Sequence, residues 1–306
     1  MKTASIHNFD DLLSEVRKLP AKRVVVVFPN NEETFSAILD ARKRLNVEFI
    51  LVGDREIIQE GMQLADSGDE HFAIHDHKDP RAAIQHAIEI VRTGAGDILM
   101  KGGVDTSTLM KAVLGEGSGL RTGRLLSDIF IMEYPGRTEN KFVMITDGGM
   151  TLAPDLANKV ELIKNAVEVA HALGNPMPKV AILSATEFVL PNLPSTLDAA
   201  ALSKMNDRGQ IKGCVVDGPL ALDNAISPEA AEEKGIQSPV AGKADILVAA
   251  NIESANSLAK STTYFANLRL AHVVVGARIP ILIPSRSDKS DAKLLSVAMG
   301  ILMSSA

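Results

Sequence analysis

The sequence has 306 residues, 46% of them hydrophobic and 23% charged, which is the composition of a globular protein with one large or two medium domains. The formal net charge of -6 and the lack of any long run of lysine and arginine argue against a nucleic acid partner. A single cysteine excludes an internal disulfide, no apolar stretch approaches the roughly 20 residues of a membrane span, and "MKTASIHNFDDLLSEV" lacks the apolar core of a secretory signal. We therefore expect a cytoplasmic protein with neither a nucleic acid nor a membrane as partner.

Short apolar runs rich in β-branched residues predict strands along the whole chain. They span residues 23–29, 48–53, 97–102, 141–149, 179–185, 212–218, 244–251, 272–277 and 280–285. The intervening segments repeat apolar residues at helical spacing and predict helices. These span residues 9–19, 32–45, 79–93, 105–114, 155–173, 195–208, 254–268 and 288–304. Because the strands are apolar throughout and alternate with helices, we expect an α/β fold with mainly parallel sheets flanked by helices.

The number of strands predicts more than one domain, because it exceeds what a single open sheet comfortably holds. The stretch 115–140 is rich in glycine and poor in periodicity, so we place a domain transition there. The sequence thus predicts two α/β domains, the first formed by residues 1–130 plus 286–306 and the second by residues 131–285. We expect an active cleft between them.

Small and polar residues follow six of the predicted strands. These exits are Lys101-Gly102-Gly103, Asp147-Gly148-Gly149, Ser184-Ala185-Thr186, Asp217-Gly218-Pro219, Asn251-Ile252-Glu253 and Ser285-Arg286. In open parallel sheets, ligands bind beyond the carboxyl ends of the strands, where helix N-termini offer backbone N–H groups. Turns and helix caps explain any one of these exits. Six together favour a site for a polar anion.

Several common chemistries find no support in the sequence. The first predicted strand leads into "FPNNEETF" without a glycine, which argues against a dinucleotide fingerprint, and no Walker A sequence occurs. His75 and His77 could share a strand face, but no third ligand is near them in sequence, so we predict no metal. Cys214 in "KGCVVDG" is typical of a small buried hydrophobe, and no histidine partner identifies it as a nucleophile.

An ordered series of motifs covers the chain from about residue 95 to its end. It comprises "KGGVDTSTLMKAVL", "SDIFIMEYP", "ITDGGM", "LSATEFV", "DGPLALDNAISPEAAEEKG", "SPVAGKADILVAANIESANSLAKSTTYF" and "PILIPSRSD". This series resembles the phosphate acetyltransferase and phosphate butyryltransferase family. "DGPLALDNA" and "KGGVDTSTL" look more like the butyryltransferase branch, which favours acyl chains of four carbons or branched relatives.

The resemblance implies a fold like that of isocitrate and isopropylmalate dehydrogenase without the nicotinamide, commonly paired as dimers, so we expect a homodimer or a higher homo-oligomer. It also implies exchange of an acyl group between coenzyme A and inorganic phosphate, with coenzyme A as a substrate and with no cofactor or metal. Such a reaction needs groups that hold a phosphate dianion against a thioester, stabilise the oxyanion and help a thiolate to leave.

Ser285 and Arg286 suit that chemistry as catalytic residues. The guanidinium of Arg286 can grip phosphate with two parallel hydrogen bonds, and the Ser285 hydroxyl can donate to the oxyanion or to the sulfur. The resemblance implies the same pair in these roles. It also implies an aspartate base toward the thiol, for which Asp291 is the nearest match with a one-residue shift, while Asp288 is the more natural helix cap.

Further residues are candidates for substrate binding. Lys111 falls near the position of an arginine in the acetyltransferases, and Lys101 or Arg121 could share the charge of the anion. Thr106 and Ser107 open a helix whose N-terminus would face an anion. The remaining candidates are Asp217, which ends a strand and could orient a cation, Lys243, which enters a strand, and Asn251, Glu253 and Asn256, which surround a strand exit and could position the pantetheine amide or cap a helix.

Other functions stay open at this point. The acyl group could be acetyl, because one methylene changes discrimination by only about 1–3 kcal/mol. A decarboxylating dehydrogenase on the related fold would need metal-binding aspartates and a nicotinamide site, and neither is evident. A non-catalytic protein that binds acyl-CoA or acyl phosphate is the third possibility.

Overall fold

The computed structural model describes residues 5–65, 72–285 and 288–306, and these form eleven strands and eleven α-helices. The strands are β1 (Lys22–Val27), β2 (Val47–Gly53), β3 (Ala73–Asp76), β4 (Ile98–Lys101), β5 (Ser127–Glu133), β6 (Phe142–Thr146), β7 (Lys179–Leu183), β8 (Val215–Leu220), β9 (Ile246–Val248), β10 (Leu270–Val275) and β11 (Ile281–Leu282). The helices are α1 (Phe9–Val16), α2 (Glu32–Arg44), α3 (Arg55–Leu64), α4 (Pro80–Arg92), α5 (Thr106–Val113), α6 (Leu156–Ala172), α7 (Pro194–Asp207), α8 (Leu222–Ile226), α9 (Pro228–Glu233), α10 (Ile252–Tyr264) and α11 (Ser290–Met303).

The chain divides into two compact units. One, which we call the N/C unit, contains Phe9–Arg124 and Ala271–Ala306, and the other, the middle unit, contains residues 5–8 and Leu125–Leu270. The domain boundaries predicted after residues 130 and 285 stay a prediction, because compact packing alone does not establish that a unit folds independently.

The N/C unit is built on strands in the order β3-β2-β1-β4-β11-β10. Neighbouring strands are parallel except β10, which runs antiparallel to β11. Helix α11 packs against α1 and α2, and its residues 293–302 are all buried. The four valines Val24–Val27 of β1 are fully buried, as the continuous apolar run predicts for a strand with parallel neighbours on both sides.

The middle unit is built on strands in the order β5-β6-β9-β7-β8. Here too the pairs are parallel, except that β5 runs antiparallel to β6. Its helices begin at side-chain caps in several cases: Asp155 caps α6 by accepting the N–H of Asn158, and Ser227 caps α9 by accepting that of Ala230.

The predicted α/β class with mainly parallel sheets is confirmed, and all nine predicted strands and eight predicted helices are present. Strands β3 and β5 and helices α3, α8 and α9 were missed. Within residues 5–65, 72–285 and 288–306, none of the helices combines the length and apolarity that crossing a bilayer requires.

Candidate active site

The carboxyl ends of β1, β4 and β11 lie side by side at one edge of the N/C unit. Val27 pairs with Lys101 between β1 and β4, and Met100 pairs with Leu282 between β4 and β11. Lys101 is only 5% exposed, and Ser285 follows Leu282 by three residues and is half-buried. The sequence-predicted exits at Lys101 and Ser285 therefore belong to the same edge.

Two glycines allow the exits of β4 and β1 to touch. The N–H groups of Gly102 and Gly103 donate to the carbonyls of Val27 (2.9 Å) and Phe28 (2.7 Å). A Cβ atom on Gly102 would lie 2.6 Å from the Val27 carbonyl oxygen, and one on Gly103 would overlap the Asn30 side chain. The β1 exit with Asn30 thus joins this edge, which sequence reasoning missed because it searched that exit only for a dinucleotide motif.

Ser285 is held by Asp288. The Ser285 N–H donates to Asp288 Oδ2 at 2.7 Å, and the Asp288 N–H donates to the Ser285 carbonyl at 3.2 Å. The prediction that Asp288 caps the last helix is wrong: the N-cap of α11 is Lys289, and the Asp288 carboxylate is used by the Ser285 amide instead. Arg286, the other predicted catalytic residue, lies outside the described residues.

Two buried side chains, those of His272 and Lys293, lie against Asp288. His272 Nε2 lies 3.7 Å from Asp288 Oδ2, which is an ion-pair distance rather than a short hydrogen bond. Lys293 Nζ donates to the Asp288 carbonyl at 2.9 Å. Burial would raise the pKa of Asp288, but the interactions with His272, with the Ser285 N–H and with Lys293 outweigh it, so this pKa lies below its ordinary value. Asp288 is therefore a carboxylate near neutral pH.

The other predicted residues of the N/C unit lie on α5 and α11. Thr106 and Ser107 form the first turn of α5, as predicted, and Ser107 is exposed. Lys111 is exposed in the last turn of α5, five residues from its start and thus about 7.5 Å along the helix axis. Asp291 lies in the first turn of α11 and is half-buried. The roles predicted for these residues stay predictions.

In the middle unit, the exits of β6 and β9 are neighbours. Ala249 N–H donates to the Thr146 carbonyl at 3.0 Å, and Asn256 Nδ2 of α10 donates to the Gly148 carbonyl at 2.9 Å. Asn251 is the N-cap of α10, where its side chain accepts the Ser254 N–H at 2.9 Å. A second predicted residue of this exit, Glu253, is exposed in the first turn of the same helix.

Asp147, directly after β6, is the most perturbed carboxyl of this exit. It accepts N–H groups from Asp128, Gly149 and Met150 at 3.1 Å and from Thr151 at 2.8 Å. Burial and the nearby carboxylate of Asp128 raise the pKa of Asp147 to about 6, although the N–H groups of Gly149, Asp128 and Thr151 oppose that rise. Sequence reasoning noted this exit but did not select Asp147.

Asp217 and Lys243, the other predicted residues of the middle unit, do not follow a strand. Asp217 was predicted to end a strand, and that is wrong: β8 continues to Leu220, and Asp217 pairs in register with Ala181 on β7. Its carboxylate accepts the N–H of Gly218 at 2.8 Å. Lys243 is exposed and precedes β9, whereas Asn251 follows that strand.

Cys214 is buried, as the sequence predicted, whereas the histidines make contacts that the sequence did not predict. His86 of α4 joins His75, with 2.9 Å between Nε2 and Nδ1, and its ring centroid lies 4.7 Å from that of His77. In the part of the chain that the structure describes, no group of three or more histidine, cysteine or acidic side chains could hold a metal ion. Cys214 is buried, and burial raises the pKa of its thiol to about 11, which disfavours the thiolate.

Comparison with known proteins identifies the family. Residues 73–301 match the model of the family described as phosphate acetyl/butaryl transferase. The chain is 43% identical over 296 residues to the phosphate butyryltransferase of Clostridium beijerinckii, covering 97% of each chain. It is also 41% identical over 291 residues to the phosphate acetyltransferase of Thermotoga maritima, covering 95% of this chain and 98% of the relative. The chain therefore belongs to the phosphate acetyl/butaryl transferase family.

A solved structure has the same fold. A branched-chain phosphotransacylase from Enterococcus faecalis V583 superimposes with a TM-score of 0.81 at 30% identity, covering 92% of this chain and 99% of that one. The fold class that the sequence resemblance implied, an α/β architecture related to that of dehydrogenases, is confirmed.

Proposed function

We propose that this protein is a phosphate acyltransferase that converts butyryl-CoA or a branched short-chain acyl-CoA and phosphate into the acyl phosphate and coenzyme A. Family membership over nearly the whole chain carries the proposal. The edge to which both Ser285 and the buried Lys101 belong supports it, because a hydroxyl donor and a cation are what an anionic nucleophile and a developing oxyanion require.

The reaction is a direct transfer in a ternary complex of enzyme, phosphate and acyl-CoA. A phosphate oxygen forms the new bond to the thioester carbonyl carbon, the carbon–sulfur bond breaks, and the thiolate leaves with the electron pair. Arg286 holds the phosphate, Ser285 donates to the oxyanion or to the sulfur, and Lys101, Thr106, Ser107 and Lys111 contribute positive charge or N–H and O–H donors.

Proton transfer at sulfur is assigned to Asp291. In the direction that consumes coenzyme A, Asp291 removes the thiol proton, and in the opposite direction its acid form returns that proton to the leaving thiolate. The chemistry needs no cofactor and no metal ion, so an excess of EDTA leaves the rate unchanged. A rate lost to EDTA and restored by a divalent cation would contradict this assignment.

The middle unit supplies contacts to the coenzyme A substrate. Glu253 is the best placed candidate, because it is exposed at the start of α10, whereas Asn251 is occupied as a helix cap and Asn256 donates to the Gly148 carbonyl. Asp217 and Lys243 are weaker candidates, since neither follows a strand.

The acyl chain is the open choice within this function. Butyryltransferases and acetyltransferases are almost equally identical to this chain, at 43% and 41%, so identity does not separate them. The butyryltransferase-like motifs and the branched-chain phosphotransacylase support a chain of four carbons or a branched relative. Acetyl transfer is the alternative.

Phosphate-dependent loss of thioester absorbance tests the function. We expect turnover with butyryl-CoA and isobutyryl-CoA without added nucleotide, and kcat/KM higher than for acetyl-CoA by about one to two orders of magnitude. A maximum at acetyl-CoA would make the protein a phosphate acetyltransferase. Binding of acyl-CoA in calorimetry without turnover of any acyl-CoA would mean a non-catalytic binding protein, and turnover requiring NAD or NADP would mean a dehydrogenase.

We also propose that the protein acts in the cytoplasm as a homodimer. The single cysteine and the coenzyme A substrate support the compartment. The family resemblance supports the dimer, and exposed aromatic side chains such as Phe188, Tyr264 and Phe265 are residues of the kind that interfaces cover.

A further inference from the structure

Ser285 lies three residues after β11, and its backbone N–H is bound by the carboxylate of Asp288. The Ser285 N–H donates to the Asp288 carboxylate, and the Asp288 N–H donates to the Ser285 carbonyl. The position of the Ser285 main chain therefore depends on where Asp288 lies. A reacting hydroxyl displaced by about 1 Å can lose about a hundred-fold in rate. The groups that fix Asp288 therefore bear on catalysis without touching substrate.

His272 reaches Asp288 from the neighbouring strand. Because β10 runs antiparallel to β11, with Val274 opposite Ile281, the beginning of β10 lies beside the carboxyl end of β11. His272 is 6% exposed, its Nε2 faces Asp288 Oδ2 at 3.7 Å, and its backbone N–H donates to Ser296 Oγ at 3.0 Å. Burying an imidazole is costly unless polar neighbours compensate it, and the carboxylate that holds Ser285 is one such neighbour.

Lys293 fixes the same aspartate from α11. Its side chain is 2% exposed, and its Nζ donates to the Asp288 carbonyl at 2.9 Å. Burial lowers the pKa of Lys293, while the carboxylates of Asp288 and of Glu33 on α2 oppose that shift. Asp288 is thus held at its carboxylate by His272 and at its carbonyl by Lys293, two contacts that converge on one residue.

We propose that His272 is a positioning residue for acyl transfer: through the Asp288 carboxylate it holds the backbone of Ser285 at the exit of β11. The inference rests on the proposed role of Ser285. The His272 Nε2 lies 3.7 Å from the Asp288 carboxylate and holds it in place, Asp288 accepts the Ser285 N–H, and the Ser285 hydroxyl then keeps its direction during the reaction.

Steady-state kinetics of His272 variants test this. In His272→Leu the contact with Asp288 is lost, and we expect kcat to fall about ten- to a hundred-fold with little change in KM for acyl-CoA. His272→Gln keeps an N–H that can reach Asp288 and should retain most of the activity. The matched control is His171→Leu, because the His171 ring bonds to a carbonyl, that of Gly213 at 2.8 Å, in the middle unit.

A double-mutant cycle separates positioning from general damage. If His272 acts through Asp288, then His272→Leu combined with Asp288→Ala is no slower than Asp288→Ala alone. If the double variant is instead slower than Asp288→Ala by the same factor that His272→Leu alone loses, the inference is overturned. Should His272→Leu not fold, His272→Asn replaces it, since the shorter amide does not reach Asp288.

The outcomes distinguish this inference from the proposed function. If the wild type transfers acyl groups and His272→Leu is as active as the His171→Leu control, the inference is overturned and the function stands. If Ser285→Ala is fully active, the role of Ser285 and the inference both fail. If the wild type turns over no acyl-CoA, the function fails, and hydrogen exchange of the Ser285 amide then decides: unchanged protection in His272→Leu refutes the linkage.

Discussion

In the proposed mechanism, the positive charge of Arg286 holds the phosphate. Replacing it by glutamine keeps much of the side-chain length and some donors but removes the charge. A charged hydrogen bond contributes about 2 kcal/mol, so we expect KM for phosphate to rise about thirty-fold, with a fall in kcat. Initial rates against phosphate concentration measure this.

Arg92→Gln is the control for Arg286→Gln. Arg92 pairs with Glu89 on the exposed face of α4 and is 44% exposed there, so its loss removes the same charge without effect on phosphate. Equal phosphate dependence in the two variants would contradict the assignment of Arg286.

Asp147 makes stability depend on pH. Its pKa is raised to about 6 by burial and by the Asp128 carboxylate, so the folded state binds a proton that the unfolded state releases. The stability that Asp147 contributes is fully present at pH values below the ordinary pKa of a carboxyl group, and it is lost as the pH rises through about 6. We expect the free energy of unfolding of the wild type, relative to Asp147→Asn, to fall by about 1 kcal/mol between pH 5 and 7.5.

Urea unfolding of both proteins at several pH values checks this prediction. Since the asparagine side chain of the variant does not titrate, only the wild type should show the fall. A difference between the two proteins that stays constant across the range, or that grows with pH, would be the contrary result.

For single residues, the sequence predicted which residues follow the strands better than it predicted the side chains that hold those residues in place. Lys101 and Ser285 follow from the rule that carboxyl ends of parallel strands share an edge. His272 could not be found that way, because an antiparallel strand brings its beginning to that edge and apolar periodicity carries no direction. Lys293 offered a signal: "KLLSVAMGILM" is apolar all round, which indicates a buried helix and hence a buried lysine.

At the scale of secondary-structure elements, the exits of β1 and β4 are in tight backbone contact. Alanine at Gly102 would place a Cβ 2.6 Å from the Val27 carbonyl, so one of the two exits must move. We expect Gly102→Ala to lower the free energy of unfolding by about 1–3 kcal/mol and to reduce turnover. Gly117→Ala, with no atom within 4 Å of its added Cβ, should stay within about 0.5 kcal/mol of the wild type.

Equilibrium unfolding in urea compares the two glycine variants. If Gly102→Ala and Gly117→Ala unfold at the same urea concentration, the prediction is contradicted, because the exits of β1 and β4 could then move apart without loss of stability.

The missed elements have physical causes. Strand β3 has only four residues, none buried, so it carries no apolar run to recognise. Strand β5 is buried along most of "SDIFIME" and pairs antiparallel with β6. Because a glycine-rich stretch precedes it, the sequence there resembles a transition between domains. Helices α8 and α9 have five and six residues, too few for helical periodicity to be visible.

For the whole molecule we predict self-association. A light-scattering measurement at the outlet of a sizing column should give twice the mass of one chain, at concentrations well above those of an enzyme assay. A mass equal to one chain across that range would contradict the dimer.

The order of segments in the N/C unit governs what happens while the ribosome makes the chain. Strand β11 lies between β4 and β10, yet it is translated only after the entire middle unit. Until then the edge of β4, whose residues are all buried in the finished protein, offers unpaired main-chain groups to any other strand. A translation product that stops before residue 271 therefore lacks Ser285 and keeps an unprotected edge, so it should need a chaperone and should precipitate without one.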